Sequence, residues 1–342
     1  MHTFIIAEAG VNHNGQDDLA LALVDAAAEA GADAVKFQTF SAEKVVQKGA
    51  SKAEYQKAAT GGGSQFDMLK KLEMSVDLHH LLLQRCAEHG IELMSTPFDN
   101  DAADFLVGLG MRRMKISSGE ITNLVFLRHL AAKGVPIILS TGMATLDEIA
   151  EAVDCLRAHW AGSGDIAENL TILHCTSNYP TAPQDVHLNA MRTIAEVTGL
   201  PVGYSDHTVG IAVCTAAAAL GARVIEKHFT LDRTMPGPDH KASLEPGELK
   251  AMVEQVRVVE AALGSAAKGP TASEREMRVL ARRSVSAASD LAPGTVLSAR
   301  DLVMLRPATG IAPRDHDALL GRVLKRPLAA GQALQWDDLE QV

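Results

Sequence analysis

Two histidines in this sequence each close an apolar, β-rich run: His207 in Gly-Tyr-Ser-Asp-His-Thr (203–208) and His228 in Glu-Lys-His-Phe-Thr (226–230). Imidazoles so placed could converge on one divalent cation, with water and substrate filling the rest of its shell. Such an open site polarises a carbonyl oxygen as a Lewis acid. The alternative is a pair of structural histidines bonded to Asp206 or Glu226. Lys36 and Lys115 end two further runs of the same kind. A lysine turned into an apolar interior is costly without an anion beside it. Thr96, Ser118, Ser140 and Ser205 bring hydroxyls from four run ends, one of them shared with Lys115. Hydroxyls around two cations describe a pocket for phosphate plus carboxylate; alternatively, the lysines pair with Glu8 or Glu120. Glu8, alone in an apolar run, is a candidate general base or water-positioning group, with a pKa that burial would raise. A salt bridge to an inward lysine is the competing role. Gly-Pro-Asp-His (237–240) reads as a rigid loop placing Asp239 near the same mouth. Arg306, before Pro307, is either a surface arginine or a finger reaching a site.

Most other histidines are declined as ligands. His79, His80, His89, His129 and His159 fall in helical segments or at their ends and are expected to be solvated; His2, His187 and His316 fall in loops. His174 shares a strand face with Thr176 and reads as a hydrogen-bonded core residue. Cys86, Cys155, Cys175 and Cys214 are widely spaced with no CxxC pair, so neither a zinc knuckle nor a disulfide framework is expected. Cys175 and Cys214 read as ordinary reduced core residues.

The elements that must position these groups alternate regularly. β-rich runs are expected at 4–10, 34–39, 92–98, 113–120, 136–142, 170–177, 201–207 and 223–230. Helical segments are expected at 19–30, 76–89, 102–109, 124–132, 146–159 and 211–220, several ending at a glycine such as Gly31, Gly90, Gly134 or Gly221. Eight βα units over this span predict a (βα)8 TIM barrel at 1–265, and barrel enzymes build their sites from the carboxyl ends of different strands. The insertion at 41–72, with its Gly61-Gly62-Gly63-Ser64 run, is long for a βα loop and reads as a lid or an oligomer arm. It lacks the Lys-Ser/Thr of a Walker A loop. A linker is expected at 266–283 and a small β domain at 284–342. That domain carries an internal echo, Leu-Ala-Pro-Gly-Thr-Val-Leu-Ser-Ala-Arg-Asp-Leu (291–302) against Leu-Ala-Ala-Gly-Gln-Ala-Leu-Gln-Trp-Asp-Asp-Leu (328–339), and two copies imply pseudo-symmetry rather than a solenoid.

Lys+Arg 32 against Asp+Glu 42 gives a net charge of −10, which argues against nucleic acid and anionic membranes as partners. Aromatics at 4% leave no stacking platform for single strands. No apolar run reaches the ~18 residues of a membrane span, and no basic region precedes the apolar start at 1–6, so a cytoplasmic location is expected.

Nine motifs in order resemble the sialic acid synthases, the phosphoenolpyruvate-dependent nonulosonate synthases, including the legionaminate synthases. They are Ala-Glu-Ala-Gly-Val-Asn-His-Asn-Gly (7–15), Val-Lys-Phe-Gln-Thr (35–39), Ser-Thr-Pro-Phe (95–98), Lys-Ile-Ser-Ser-Gly-Glu (115–120), Leu-Ser-Thr-Gly-Met (139–143), His-Cys-Thr-Ser-Asn-Tyr-Pro (174–180), Tyr-Ser-Asp-His-Thr (204–208), Glu-Lys-His-Phe-Thr (226–230) and Gly-Pro-Asp-His (237–240). Arg306-Pro307-Ala308-Thr309-Gly310 resembles the family's C-terminal antifreeze-like (SAF, β-clip) domain. The resemblance implies that His207 and His228 hold a divalent metal, manganese first, with magnesium or cobalt as alternatives. It implies that Lys36, Thr96, Lys115, Ser118, Ser140 and Ser205 hold phosphoenolpyruvate. Gln38, Glu120, Tyr179, Asp239 and Arg306 would contact an N-acetylated amino sugar, and Glu8 would assist attack of water. It also implies a homodimer in which a swapped antifreeze-like domain supplies Arg306 to the partner. N-acetylmannosamine, giving N-acetylneuraminate, is the first acceptor expected; a 2,4-diacetamido-2,4,6-trideoxymannose, giving N,N'-diacetyllegionaminate, is the alternative. A binding protein using the tail as a sugar- or ice-binding surface is the competing class. Where some members carry Asn after His-Cys-Thr, this chain has Ser177 and then Asn178.

Overall fold

The computed structural model describes residues 2–340, which separate into two compact units, one ending at Gly264 and one beginning at Ser265. In the first unit eight strands run parallel: β1 (Phe4–Gly10), β2 (Ala34–Thr39), β3 (Glu92–Pro97), β4 (Met114–Ile116), β5 (Ile137–Ser140), β6 (Leu170–Cys175), β7 (Val202–Asp206) and β8 (Val224–His228). They are hydrogen-bonded in the order β3-β2-β1-β8-β7-β6-β5-β4, and the end strands β3 and β4 pack against each other, so the barrel is nearly closed. Eight helices follow the strands: Asp17–Glu29, Val76–His89, Asn100–Gly108, Leu124–Ala131, Leu146–His159, Ala190–Thr198, Ala212–Ala219 and Pro246–Leu263.

Side-chain alternation along each strand explains both layers of the barrel. On β2, Val35 and Phe37 point outward into the large core shared with the helices. Ala34 points inward and joins Ile6, Met94, Ile138, Leu173 and Val224 in a small apolar plug. Lys36 and Gln38 follow Ala34 on the inward face and line a cavity above that plug. The interior is therefore apolar below and polar at the carboxyl mouth, as the stacked layers of a barrel allow.

Helix ends follow local chemistry. Ser75 accepts a bond from the Leu78 N–H, and Gly90 closes the same helix in the left-handed conformation at φ 68°. Thr145 and Glu148 form a reciprocal capping box on Leu146–His159. Ala20, Ala26 and Ala27 on the first helix are buried against the sheet, which lets the two layers approach closely.

The 41–72 insertion folds into three short helices, Ala42–Val45, Glu54–Thr60 and Gln65–Lys70. Met68 and Leu72 pack with Val11, Phe40 and Phe98. The Lys52 ammonium donates to Thr60 Oγ1 and to the carbonyls of Gly61 and Gly62, tying the glycine run down.

The second unit has its own core, including Val285, Leu291, Leu297, Leu302, Leu324, Leu328, Leu334 and Leu339. Strands β9 (Ser284–Ala287) and β10 (Leu302–Leu305) pair antiparallel. The sequence echo is a structural one. Leu291 bridges Leu328, and each copy ends in a short 3-10 turn, Ala299–Asp301 and Trp336–Asp338, whose last aspartate accepts the N–H of Ser298 or Gln335.

Candidate active site

Register brings the site together. Glu8 on β1 is the direct partner of Lys36 on β2 and of His228 on β8. Gln38 lies opposite Thr96, and Ser205 opposite Glu226. The ladder from β1 to β2 is interrupted between Glu8 and Gly10, and Gly10 adopts φ +54°, a conformation that suits glycine. A Cβ there would stand 3.3 Å from Glu8 Oε1 and 3.6 Å from the His228 ring.

The resulting cavity, of about 420 Å³, is lined by Glu8, Lys36, Gln38, Thr96, Lys115, Ser118, Ser140, Tyr179, Ser205, His207 and His228 among others. These eleven are all residues that the sequence singled out. Glu120 sits beside them on a 3-10 turn (Ser118–Glu120), off the cavity lining, and accepts a bond from Asn123 Nδ2 at 2.7 Å. Asp239 reaches the site's edge, its Oδ2 3.9 Å from His228 Nδ1. Arg306 is an exposed residue of the second unit. Glu226, Ser177, Gln65, Phe98, Met143 and Cys175 also line the cavity and were not assigned from sequence. Glu226 was within reach of that reading: it lies two residues before His228 in a strand, hence on the same face.

Two lysines and two carboxylates form the cavity floor, and all four are buried. Lys36 Nζ lies 2.6 Å from Glu8 Oε2 and 3.6 Å from Glu226 Oε2, and donates to Thr96 Oγ1 at 3.0 Å. Lys115 Nζ lies 3.5 Å from Glu226 Oε1, so its carboxylate neighbour is Glu226 rather than Glu120. Ser205 Oγ donates to Glu226 Oε1 at 3.0 Å. Burial works against all four charges. For Glu226 the two lysines more than offset it, and the carboxyl is held below the usual range. For Glu8 burial wins over Lys36, and the pKa is pushed up to about 7. Burial also opposes the charge on Lys36, but Glu226 and Glu8 outweigh it and hold its pKa above the usual lysine value. On Lys115 burial prevails and the pKa is lowered. Of the two cations, Lys36 is held charged by both carboxylates, and Lys115 is the less compensated. Ser140 Oγ, Glu226 Oε2 and His228 Nδ1 are buried without a hydrogen-bond partner, and all three belong to residues lining this cavity.

The histidines face each other with ring centroids 5.4 Å apart, and Tyr179 stacks on His207 at 4.1 Å. His207 shares a 2.7 Å bond between Nδ1 and the Thr176 carbonyl, which requires the proton on Nδ1 and leaves Nε2 as the lone-pair nitrogen. Burial lowers the pKa of both imidazoles and so favours the neutral, metal-binding form. Neither imidazole bonds Asp206 or Glu226; Asp206 is taken by Lys227. Two neutral imidazoles with a buried, unpartnered nitrogen and a carboxylate at 3.9 Å fit a divalent cation of the borderline class. Among the described residues no group of three or more His, Cys, Asp or Glu side chains is placed to hold a metal ion by itself.

Two other expectations change. His79 is buried rather than solvated, because its ring bonds Thr39 Oγ1 at 2.9 Å and the Ser75 carbonyl at 2.7 Å between barrel and helix. Cys175 is buried but not simply core: its sulfur lies 3.1 Å from Ser118 Oγ at the cavity wall. His174 bonds the Val186 carbonyl, as a core histidine should.

A parallel eight-stranded barrel with a cation-and-hydroxyl pocket and paired imidazoles at its carboxyl mouth is an enzyme for a small anionic substrate. Comparison with known proteins narrows this. The model of the NeuB family matches residues 23–268 and that of the SAF domain residues 282–340. The chain belongs to the NeuB family, the synthases that condense phosphoenolpyruvate with an amino sugar. It is 51% identical over 341 residues to an N,N'-diacetyllegionaminic acid synthase of Legionella pneumophila, covering 99% of this chain and 95% of that one. It is 46% identical over 322 residues to an N,N'-diacetyllegionaminic acid synthase of Campylobacter jejuni, covering 94% and 95%. Among solved structures, an N-acetylneuraminic acid synthetase from Leptospira borgpetersenii in complex with citrate superposes with a TM-score of 0.70 at 36% identity, over 81% of this chain and 90% of that one. Among the described residues no helix is long and apolar enough to cross a membrane.

Proposed function

We propose that this chain is an N,N'-diacetyllegionaminate synthase, joining phosphoenolpyruvate to a 2,4-diacetamido-2,4,6-trideoxymannose and releasing phosphate. The choice of acceptor rests on near full-length identity to two legionaminic acid synthases, against 36% to a sialic acid synthetase. That ordering favours the alternative acceptor over N-acetylmannosamine, the first one expected.

The roles follow from the cavity. Lys36, Lys115, Thr96, Ser118, Ser140 and Ser205 hold the phosphate and carboxylate of phosphoenolpyruvate, the incoming anion compensating Lys115. Gln38, Tyr179 and Asp239, with Glu120 beside them, hold the open-chain sugar. A divalent cation, manganese by expectation, held by His207 and His228 would polarise the sugar's aldehyde oxygen. Confining the two substrates in one cavity sets the vinyl carbon against the aldehyde carbon and supplies much of the acceleration. As that carbon–carbon bond forms, positive charge develops at the enol carbon, and water adds there. Glu8 takes the proton of that water, and its raised pKa suits this task near neutral pH. The tetrahedral adduct then breaks its C–O bond, the electron pair leaving with phosphate, to give a nine-carbon 2-keto acid; of the water's two protons, one ends on the hydroxyl formed from the aldehyde oxygen and the other on phosphate. The family resemblance further implies a homodimer in which Arg306 reaches the partner's sugar.

The test is phosphate release from phosphoenolpyruvate in the presence of the acceptor and manganese. Release that requires the acceptor, and that is lost on chelation and in His207→Ala, supports this function. Release that survives the His207 substitution removes the metal assignment.

A further inference from the structure

Directly behind the two imidazoles, on the outer face of β7 and β8, lies a charged cluster that the proposed mechanism does not use. Asp206 and Lys227 immediately precede His207 and His228 in the chain and are direct partners in the ladder between the two strands. Both side chains are fully buried. Lys227 Nζ donates to Asp206 Oδ2 at 2.7 Å and also to the Thr208 carbonyl. Asp206 Oδ1 accepts the Thr208 N–H at 3.0 Å, and Oδ2 accepts Thr208 Oγ1 at 3.1 Å and Cys214 Sγ at 3.2 Å. The carboxylate thus accepts four bonds, one at Oδ1 and three at Oδ2.

The geometry constrains His207 from both sides. Its preceding and following residues are bonded to one another through the aspartate, and both are bonded to Lys227. His207 therefore leaves the strand on a closed turn whose anchor is the residue before His228. The backbone continues the restraint: Thr181 N–H donates to the His207 carbonyl at 2.8 Å, and His207 Nδ1 bonds the Thr176 carbonyl. An apolar pair could fill the space behind the two strands at this depth. It could not bind a turn carbonyl, a turn N–H and a hydroxyl at once, and buried ion pairs find their best use in fixing one arrangement.

We infer that the Asp206–Lys227 pair, with Thr208, is a positioning clamp that sets the spacing of His207 and His228 for a divalent cation. These residues touch neither cation nor substrate; they act through the imidazoles, as outer-shell partners of metal ligands do. The inference rests on the proposed cation role of the two histidines.

Its test is Mn2+ binding to the full chain without substrates, followed by the electron paramagnetic resonance of free Mn2+. Folding is checked by circular dichroism and by the unfolding midpoint. The double variant Asp206→Asn/Lys227→Met removes both charges together, so no lone buried ion remains. It is expected to fold and to bind Mn2+ ~10–100-fold more weakly, the range for lost outer-shell partners. Lys227→Arg, which keeps charge and donor, is expected to stay close to wild type. A folded double variant with wild-type affinity overturns the clamp. Should the double variant not fold, Thr208→Val carries the test, since it deletes only the hydroxyl that closes the turn: weaker Mn2+ binding supports the clamp and unchanged binding overturns it. Wild type and His207→Ala separate the two layers of argument. If wild type binds no Mn2+, or His207→Ala binds it equally well, the cation role itself fails.

Discussion

Glu8 and Glu226 face the same lysine from adjacent strands, yet burial and neighbours drive them in opposite directions. Glu226 has two cations and a hydroxyl to sustain its charge; Glu8 is buried, with Lys36 and a longer bond from Gln38 set against the repulsion of Glu226. A base must be ionised to take a proton, so activity should rise with pH through about 7 rather than through the ordinary glutamate value of 4.5. A pH profile of kcat/KM for phosphoenolpyruvate checks this. Glu8→Gln should lose ~10²–10⁴-fold in kcat and lack that limb, with little change in phosphoenolpyruvate affinity. Asp239 allows a separate test on metal-free protein. Burial raises its pKa from 3.8 to about 6. An acid whose folded pKa lies above its unfolded value adds stability below pH 3.8 and loses it as pH rises through about 6. Relative to Asp239→Asn, wild type should therefore become less stable across that window, by roughly 2–3 kcal/mol. A difference in unfolding midpoint between wild type and Asp239→Asn that is the same at pH 4 and pH 8 would contradict this. Most of these residues were legible because a charge in an apolar strand needs a reason. The pairing of Lys36 with Glu8 was among the readings, but the partner of Lys115 was not, since only the register brings Glu226 rather than Glu120 to it.

At the scale of elements, the eight strands and six of the barrel helices followed from periodicity, because alternating burial writes its period into the chain. The helices Ala190–Thr198 and Pro246–Leu263 were not named, although Pro246 at the first turn and the Glu245–Glu248 capping box were available signals. Long-range contacts between loops were out of reach. Gly142, after β5, meets the loops after β4 and β6: a Cβ there would lie 2.2 Å from Ser177 Oγ and 3.0 Å from Ser118 Oγ. Gly142→Ala must displace Ser177 and crowds Ser118, whose hydroxyl is proposed to hold phosphoenolpyruvate. It should raise the KM for phosphoenolpyruvate ~10-fold or more, as small misplacements at reacting centres do. The acceptor's KM should change less; a uniform rise in both would place the defect elsewhere. The clamp between β7 and β8 belongs to this scale as well. Removing Asp206 or Lys227 alone should cost ~3–5 kcal/mol, because the other charge is left buried and unpaired.

The whole molecule joins a barrel to a small β unit whose two echoing halves pair at Leu291 and Leu328. The division into a large and a small part could be read from the change in pattern near Gly264 and from that echo. The acceptor could not. The two candidate sugars share the aldehyde end and the neighbouring acetamido group, which the lysine, histidine and hydroxyl motifs would serve in either case. Their difference lies at the far end, which no single motif marks. If Arg306 completes a partner's site, mixing Arg306→Ala with His207→Ala subunits should restore measurable turnover; none in the mixture would argue against a shared site. The most direct test of the central claim is a competition. Equal concentrations of 2,4-diacetamido-2,4,6-trideoxymannose and N-acetylmannosamine are offered with phosphoenolpyruvate and manganese, and the nine-carbon products are weighed by mass spectrometry. The proposed function requires N,N'-diacetyllegionaminate to dominate; predominant N-acetylneuraminate would contradict it.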